Sequence, residues 1–110
     1  MPMTRARAND PTLLILTSLA SGEKHGYALL QDIEQFAGVT LGPGTLYGAI
    51  TRLEERGMIE PVAGSGRRRP YRLTAGGAEE LDVALAELRT IADEGRRRLT
   101  ARSATGGTAA

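Results

Sequence analysis

The sequence predicts a mainly α fold with one small β-hairpin, built as a single domain. Three observations carry this expectation. The chain has 110 residues, the length of one ordinary domain. Apolar residues recur at spacings of three and four in several separate stretches, which marks one-sided helices. A Gly64-Ser65-Gly66 turn joins two short stretches of strand character late in the chain.

The elements follow in order. Residues 1–8 read as a flexible N-terminal arm. Asn9 or Asp10 ahead of Pro11 is a helix start, a side-chain oxygen to cap and then a proline where no amide donor is needed. The first helix then runs to about Ala20 and is apolar nearly all round, so it belongs at the centre. Ser21-Gly22 breaks it. The second helix follows His25-Gly26, with Tyr27, Leu30, Ile33, Phe36 and Ala37 forming a one-sided stripe that ends at Gly38. On this reading Tyr27 and Phe36 are core residues, and His25 makes a local hydrogen bond at the helix start.

Gly42-Pro43-Gly44 opens the third helix, whose inward stripe is Leu46, Ala49, Ile50 and Leu53 and whose stop is Gly57. Strands are expected from Met58 to Ala63 and from Arg68 to Leu73. Thr74 caps a last helix extending to about Leu99, and residues 100–110 read as a frayed tail. This order is that of a winged helix-turn-helix plus a C-terminal dimerisation helix. The boundaries are an arm over 1–8, a DNA-binding domain over 9–74, a dimerisation helix over 75–99 and a tail over 100–110.

Composition excludes several function classes. There is no cysteine and one histidine, His25, so disulfides, thiol chemistry, multi-histidine metal sites and a catalytic triad are not expected. No paired catalytic residues, phosphate loop or cofactor fingerprint occur, so no enzyme, no cofactor and no metal site are expected. The run Leu13-Leu14-Ile15-Leu16 is too short for a membrane span and its approach is broken by Asn9-Asp10-Pro11. A cytoplasmic protein with no membrane partner is expected.

The net charge is only +1, but its distribution is uneven. Residues 43–74 carry +3 and residues 95–110 carry +4, whereas residues 75–94 carry −5. A basic middle beside an acidic segment suits a polyanion on one face only. In a winged helix the third helix enters the major groove and the hairpin lies along the adjacent backbone. At 100° per residue, Gly44, Gly48, Thr51 and Glu55 lie opposite the apolar stripe of that helix, with Thr45, Tyr47 and Arg52 on the flanks. Glycine in a helix interior is unfavourable by about 1 kcal/mol against alanine. It becomes sensible where backbone must approach a groove floor or a phosphate; close helix–helix packing is the alternative. Arg67, Arg68, Arg69 and Arg72 in the hairpin suit phosphate oxygens, which position the protein while the third helix selects bases. The expected partner is double-stranded operator DNA. A winged-helix module that binds another protein through the same helix, without DNA, is the competing reading.

Four blocks occur in order: His25-Gly26-Tyr27, then Gly42-Pro43-Gly44-Thr45-Leu46-Tyr47, then Arg52-Leu53-Glu54-Glu55-Arg56-Gly57-Met58-Ile59, then Tyr71-Arg72-Leu73-Thr74 with Gly77. Together they resemble the PadR family of bacterial transcriptional regulators over roughly residues 10–99, in its short form with a single helix after the wing. The resemblance implies a homodimeric winged-helix repressor on a palindromic operator, with Thr45, Tyr47 and the wing arginines touching DNA. It also implies, for some short-form members, a small-molecule effector at a tryptophan-lined dimer interface; this chain has no tryptophan.

The last helix supports self-association on its own terms. Leu81, Leu85, Leu88, Ala92, Gly95 and Leu99 are spaced as a heptad seam, reinforced by Ala84 and Ile91. Packing of that seam on the chain's own core is the alternative to intersubunit packing. With the first three helices enclosing each other, the seam is expected to meet a second subunit, helped by the first helix.

Overall fold

In the computed structural model the described residues are 7–63 and 69–105. They form α1 (Pro11–Leu19), α2 (Gly26–Ala37), α3 (Pro43–Glu55), β1 (Ile59–Pro61), β2 (Tyr71–Leu73) and α4 (Ala75–Ala104). The expected fold class is therefore the observed one: four helices and a two-stranded antiparallel hairpin. The N-terminal arm up to residue 6, the hairpin tip with Arg67 and Arg68, and the last five residues of the expected tail lie outside the described residues.

Local chemistry sets the helix ends. The Asp10 carboxylate accepts from the Thr12 amide at 2.9 Å, with Pro11 in the first turn. His25 caps α2, its Nδ1 accepting from the Ala28 amide at 3.5 Å, the local role expected of it. Gly38 and Gly57, at φ of 68° and 73°, end α2 and α3 in left-handed conformations that favour glycine. Thr74 Oγ1 accepts from the Gly77 amide at 3.0 Å and donates to the Gly57 carbonyl at 2.7 Å, fastening the start of α4 to the end of α3.

The core is centred on α1, which touches α2, α3, α4 and β2. Leu13, Leu14, Ile15, Leu16 and Leu19 are all buried, together with Leu29, Ile33, Leu46, Ile50, Leu53, Ile59, Leu81 and Ala84. Each fully buried aliphatic side chain here contributes about 1.5–3 kcal/mol of transfer free energy. Ser18 is the buried polar residue of α1, and it is satisfied: its hydroxyl donates to Asp32 Oδ2 at 2.6 Å. Lys24 Nζ donates to the Ser18 carbonyl oxygen and lies 4.0 Å from the same Asp32 oxygen, so a polar knot ties α1 to α2.

Four expectations need correction. Tyr27 and Phe36 are 65% and 46% exposed, not core. The buried face of α2 is Gly26, Leu29 and Ile33, from which Tyr27 points away; Phe36 stands in the last turn, beyond the packed stretch. The strands are shorter than expected: at the Val62–Pro70 pair of the ladder, Pro70 has no amide hydrogen to return the bond it accepts. Among the described residues the ladder ends with the Val62 amide donating to the Pro70 carbonyl at 2.8 Å. The α1–α2 turn adds a bridge that sequence did not reveal: Lys24 and Tyr71 exchange both backbone hydrogen bonds, at 3.1 and 2.9 Å. Finally, α4 continues past Leu99 to Ala104. The ion pairs of Glu94 with Arg97 and Arg98 support those turns, and no glycine interrupts them between Gly95 and Ala104.

Candidate nucleic-acid interface

The apolar stripe of α3 is wholly consumed by the core: Leu46, Ala49, Ile50 and Leu53 are buried. That fixes the helix rotation and leaves Gly44, Thr45, Tyr47, Thr51 and Arg52 exposed on the other side. A β-carbon added to Gly44 would meet nothing within 4 Å, and one on Gly48 would meet only the Arg52 guanidinium, at 3.7 Å. No helix packs against either glycine, so the helix-packing alternative has no support here. The outward face of α3 carries a strip of bare backbone at Gly44 and Gly48, with the exposed Thr51 and the carboxylate of Glu55 beyond it toward the C-terminal end.

The side chains around that strip have distinct settings. The Thr51 hydroxyl donates to the Tyr47 carbonyl at 2.9 Å. The Tyr47 ring leans back across Gly26, the first residue of α2. Arg52, placed by sequence on a flank, turns its guanidinium toward Gly48 and so over the centre of the outward face.

The wing follows directly from α3 through Gly57. Register pairs Glu60 with Arg72 across the hairpin, and Arg72 Nε lies 2.8 Å from Glu60 Oε2. Arg72 is thus held in a cross-strand ion pair, though both it and Arg69 are exposed. Tyr71 is half-buried against the core and bridged to Lys24, which anchors the base of the wing to the α1–α2 turn. An open cleft of about 370 Å³ between the end of α3 and the start of α4 is lined by Arg56, Gly57, Met58, Gly76, Glu79 and Glu80. Its two carboxylates are ill suited to a polyanion.

The heptad seam of α4 divides. Leu81 and Ala84 are buried in the chain's own core and Leu88 is half-buried against it. Leu81 therefore does not stand ready for a partner. From there on the seam is uncovered: Leu85, Ile91, Ala92, Gly95 and Leu99 are exposed, Ile91 at 69% and Leu99 at 61%. The apolar residues of α1, expected to help in a partner contact, are likewise buried within the chain.

Sequence reasoning missed Gly26 as the seat of the Tyr47 ring, and Lys24, Ser18 and Asp32 as the polar tie between α1 and α2. The closeness of the His25-Gly26-Tyr27 block to the Thr45-Leu46-Tyr47 block in space was not legible from spacing along the chain.

Residues 15–83, which span α1 to the first turns of α4, match the sequence model of the transcriptional regulator PadR-like family. The chain belongs to that family. Its members are transcription regulators, not enzymes. Among its relatives, the transcriptional regulator Rv3488 of Mycobacterium tuberculosis is 36% identical over 85 residues, covering 74% of this chain and 78% of that protein. An uncharacterised 37.1 kDa protein in transposon Tn4556 of Streptomyces fradiae is 49% identical over 76 residues, 69% of this chain. The chain spans 22% of that protein's length. It spans 43% of the transcriptional activator GvpE2 of Halobacterium salinarum, to which it is 32% identical over 85 residues and which matches 76% of this chain. The crystal structure of a PadR family transcription regulator from Clostridium difficile R20291 superposes with a TM-score of 0.72 at 26% identity, covering 81% of this chain and 97% of that one. Among the described residues no helix is long and apolar enough to cross a membrane.

Proposed function

We propose that this PadR-like chain is a sequence-specific DNA-binding regulator that acts in the cytoplasm as a homodimer on a palindromic operator. The observation that carries the reading is the bare outward strip of α3. Gly48, in the helix interior, weakens α3 by about 1 kcal/mol relative to alanine, and Gly44, in the first turn, by less. They fill no packing need inside the chain, and they let backbone approach the floor of a major groove. Arg69, with Arg67 and Arg68 of the hairpin tip, supplies phosphate contacts beside it, and Thr45, Tyr47, Thr51 and Arg52 face the duplex from α3.

Self-association rests on the uncovered part of α4, where Leu85, Ile91, Ala92 and Leu99 meet the same residues of a second copy. A two-fold pair of reading helices then meets half-sites one helical turn, about 34–36 Å, apart. Occupancy of the operator represses the adjoining promoter; the resemblance to PadR regulators supports that sign, and a promoter–reporter fusion tests it. An effector, if the dimer takes one, binds without the tryptophan lining of some short-form relatives.

A salt titration of duplex binding tests the core of the proposal. Log affinity is expected to fall steeply with log salt concentration, with a slope near −0.9 for every phosphate neutralised. A flat response removes phosphate docking and the proposal with it.

A further inference from the structure

We infer that Arg52 is the base-selecting residue of the interface and that the base it selects is guanine. The inference rests on the DNA-binding reading and deepens it, by naming which side chain of α3 discriminates.

Several α3 side chains face the duplex, and the structure separates them. The Thr51 hydroxyl has its proton committed to the Tyr47 carbonyl at 2.9 Å. The Tyr47 ring is turned back onto Gly26, toward α2 and away from the centre of the face. Gly44 and Gly48 offer no side chain. Thr45 has one short hydroxyl, able to accept or donate at almost any base edge and therefore a weak discriminator. Arg52 alone on this face combines reach, permanent charge and a planar fork of donors.

Its placement is what turns capacity into a role. Helical side chains point back toward the N-terminus and cover the preceding turn. Arg52 does so, bringing Nη1 to 3.7 Å from where a Gly48 β-carbon would stand. A cation rooted near the end of α3 is thereby delivered over the middle of its outward face. The track it lies along is open because residue 48 carries no side chain. In helix-turn-helix docking the first half of the reading helix meets the base edges, and the guanidinium is aimed at that half. The fork matches the O6 and N7 acceptors of guanine in the major groove and no other base edge as well.

The test uses selection of bound duplexes from a random library by the full chain and by Arg52→Ala. Arg52 is exposed, and circular dichroism verifies that the variant remains folded. The wild-type pool is expected to fix guanine at one position in each half-site. In the Arg52→Ala pool that position is expected to drift to random while the others hold, and affinity for the wild-type consensus should fall roughly ten- to a hundredfold. Replacing the guanine with 7-deazaguanine, which lacks the N7 acceptor, should weaken wild type and leave Arg52→Ala unaffected. A variant pool that keeps the same guanine, with all duplexes weakened alike and the salt slope reduced by about one for each subunit, makes Arg52 a phosphate contact and overturns the inference. That outcome leaves the DNA-binding reading standing. A wild-type chain that enriches no duplex at all overturns both.

Discussion

The Tyr47 ring lies across Gly26 so closely that a β-carbon on Gly26 would stand 2.8 Å from Tyr47 Cζ. This contact joins the start of α2 to the first half of α3 and holds the ring over the helix start. Gly26 is therefore glycine because of a residue twenty-one positions further on, and the two short sequence blocks around them form one structural unit.

Gly77 provides the comparison that gives this contact a magnitude. A β-carbon there would be 2.9 Å from the carbonyl carbon of Met58, which is main chain and cannot swing aside. Tyr47 is half-exposed, so its ring can rotate out. Gly77→Ala is expected to destabilise the fold by about 2–3 kcal/mol, the upper part of the range for overpacking, and Gly26→Ala by about 1 kcal/mol or less. Urea denaturation of both variants checks the order; equal losses would show that the Tyr47 ring is not the movable partner.

These contacts mark the limit of what the sequence discloses. The helix ends were legible because their signals are local: Asp10 before Pro11, Gly38 and Gly57 after the last turns, Thr74 ahead of α4. The inward stripe of α3 was legible because its four buried residues repeat with the helical period. Tyr27 and Phe36 misled because periodicity gives a stripe without saying how wide or how long the covered part is, and α2 is fully buried only at Gly26, Leu29 and Ile33, with Leu30 half-buried beside them. The Lys24–Tyr71 bridge was invisible because a single bridged pair leaves no alternating pattern. For the candidate interface, the helical period separated the exposed side of α3 from its buried stripe. The direction in which Arg52 turns depends on rotamer, which spacing does not encode.

The bare strip of α3 predicts an opposition between stability and binding. Gly44 sits inside a helix at a site with open space around it. Gly44→Ala should therefore raise stability by up to about 1 kcal/mol. If backbone approach to a duplex is what the glycine serves, the same change should weaken duplex binding several-fold. Thermal melts and binding isotherms on one preparation decide the matter, and a stabilised variant with undiminished affinity would refute the role given to the strip.

Ser18 makes a different kind of prediction, because its hydroxyl is buried and its acceptor is a carboxylate. Hydrogen bonds to charged groups contribute about 1.5–3 kcal/mol. Ser18→Ala should fall at the lower end, since the Asp32 side chain is one-third exposed and water can replace the lost donor. A denaturation midpoint unchanged in Ser18→Ala would mean that the knot with Asp32 and Lys24 does not hold α1 to α2.

Near the far end of α4, the Arg97 guanidinium, and with it that of Arg98, holds the Glu94 carboxyl below its ordinary value of 4.5. Folding with a depressed carboxylate pKa adds stability that is present above 4.5 and disappears as pH falls through the folded value. Glu94 stands on the far part of α4, away from the core cluster, so the effect should be confined to fraying of the last turns, with the core intact. An NMR titration of the Glu94 side chain is expected to give a midpoint below 4.5, moving up toward it in high salt as the ion pairs are screened.

The division of α4 separates folding from assembly in a way that two substitutions can expose. Leu81 is buried with Ala84 against α1, so Leu81→Ala should lose about 2–5 kcal/mol in the single chain, at any protein concentration. Ile91 and Leu99 lie outside the buried cluster and are more than half exposed, so Ile91→Glu should leave the fold of one chain intact. It would place a charge in the middle of the surface that two copies are proposed to share, and an unpaired charge buried there is far more costly than a lost methyl contact. Sedimentation should therefore show Ile91→Glu as a folded monomer at concentrations where the unmodified chain is a dimer. Duplex binding should drop with it, because a single reading helix loses the second half-site. Should Ile91→Glu still sediment as a dimer, the uncovered half of α4 is not the shared surface, and the paired arrangement of reading helices has to be built from another face.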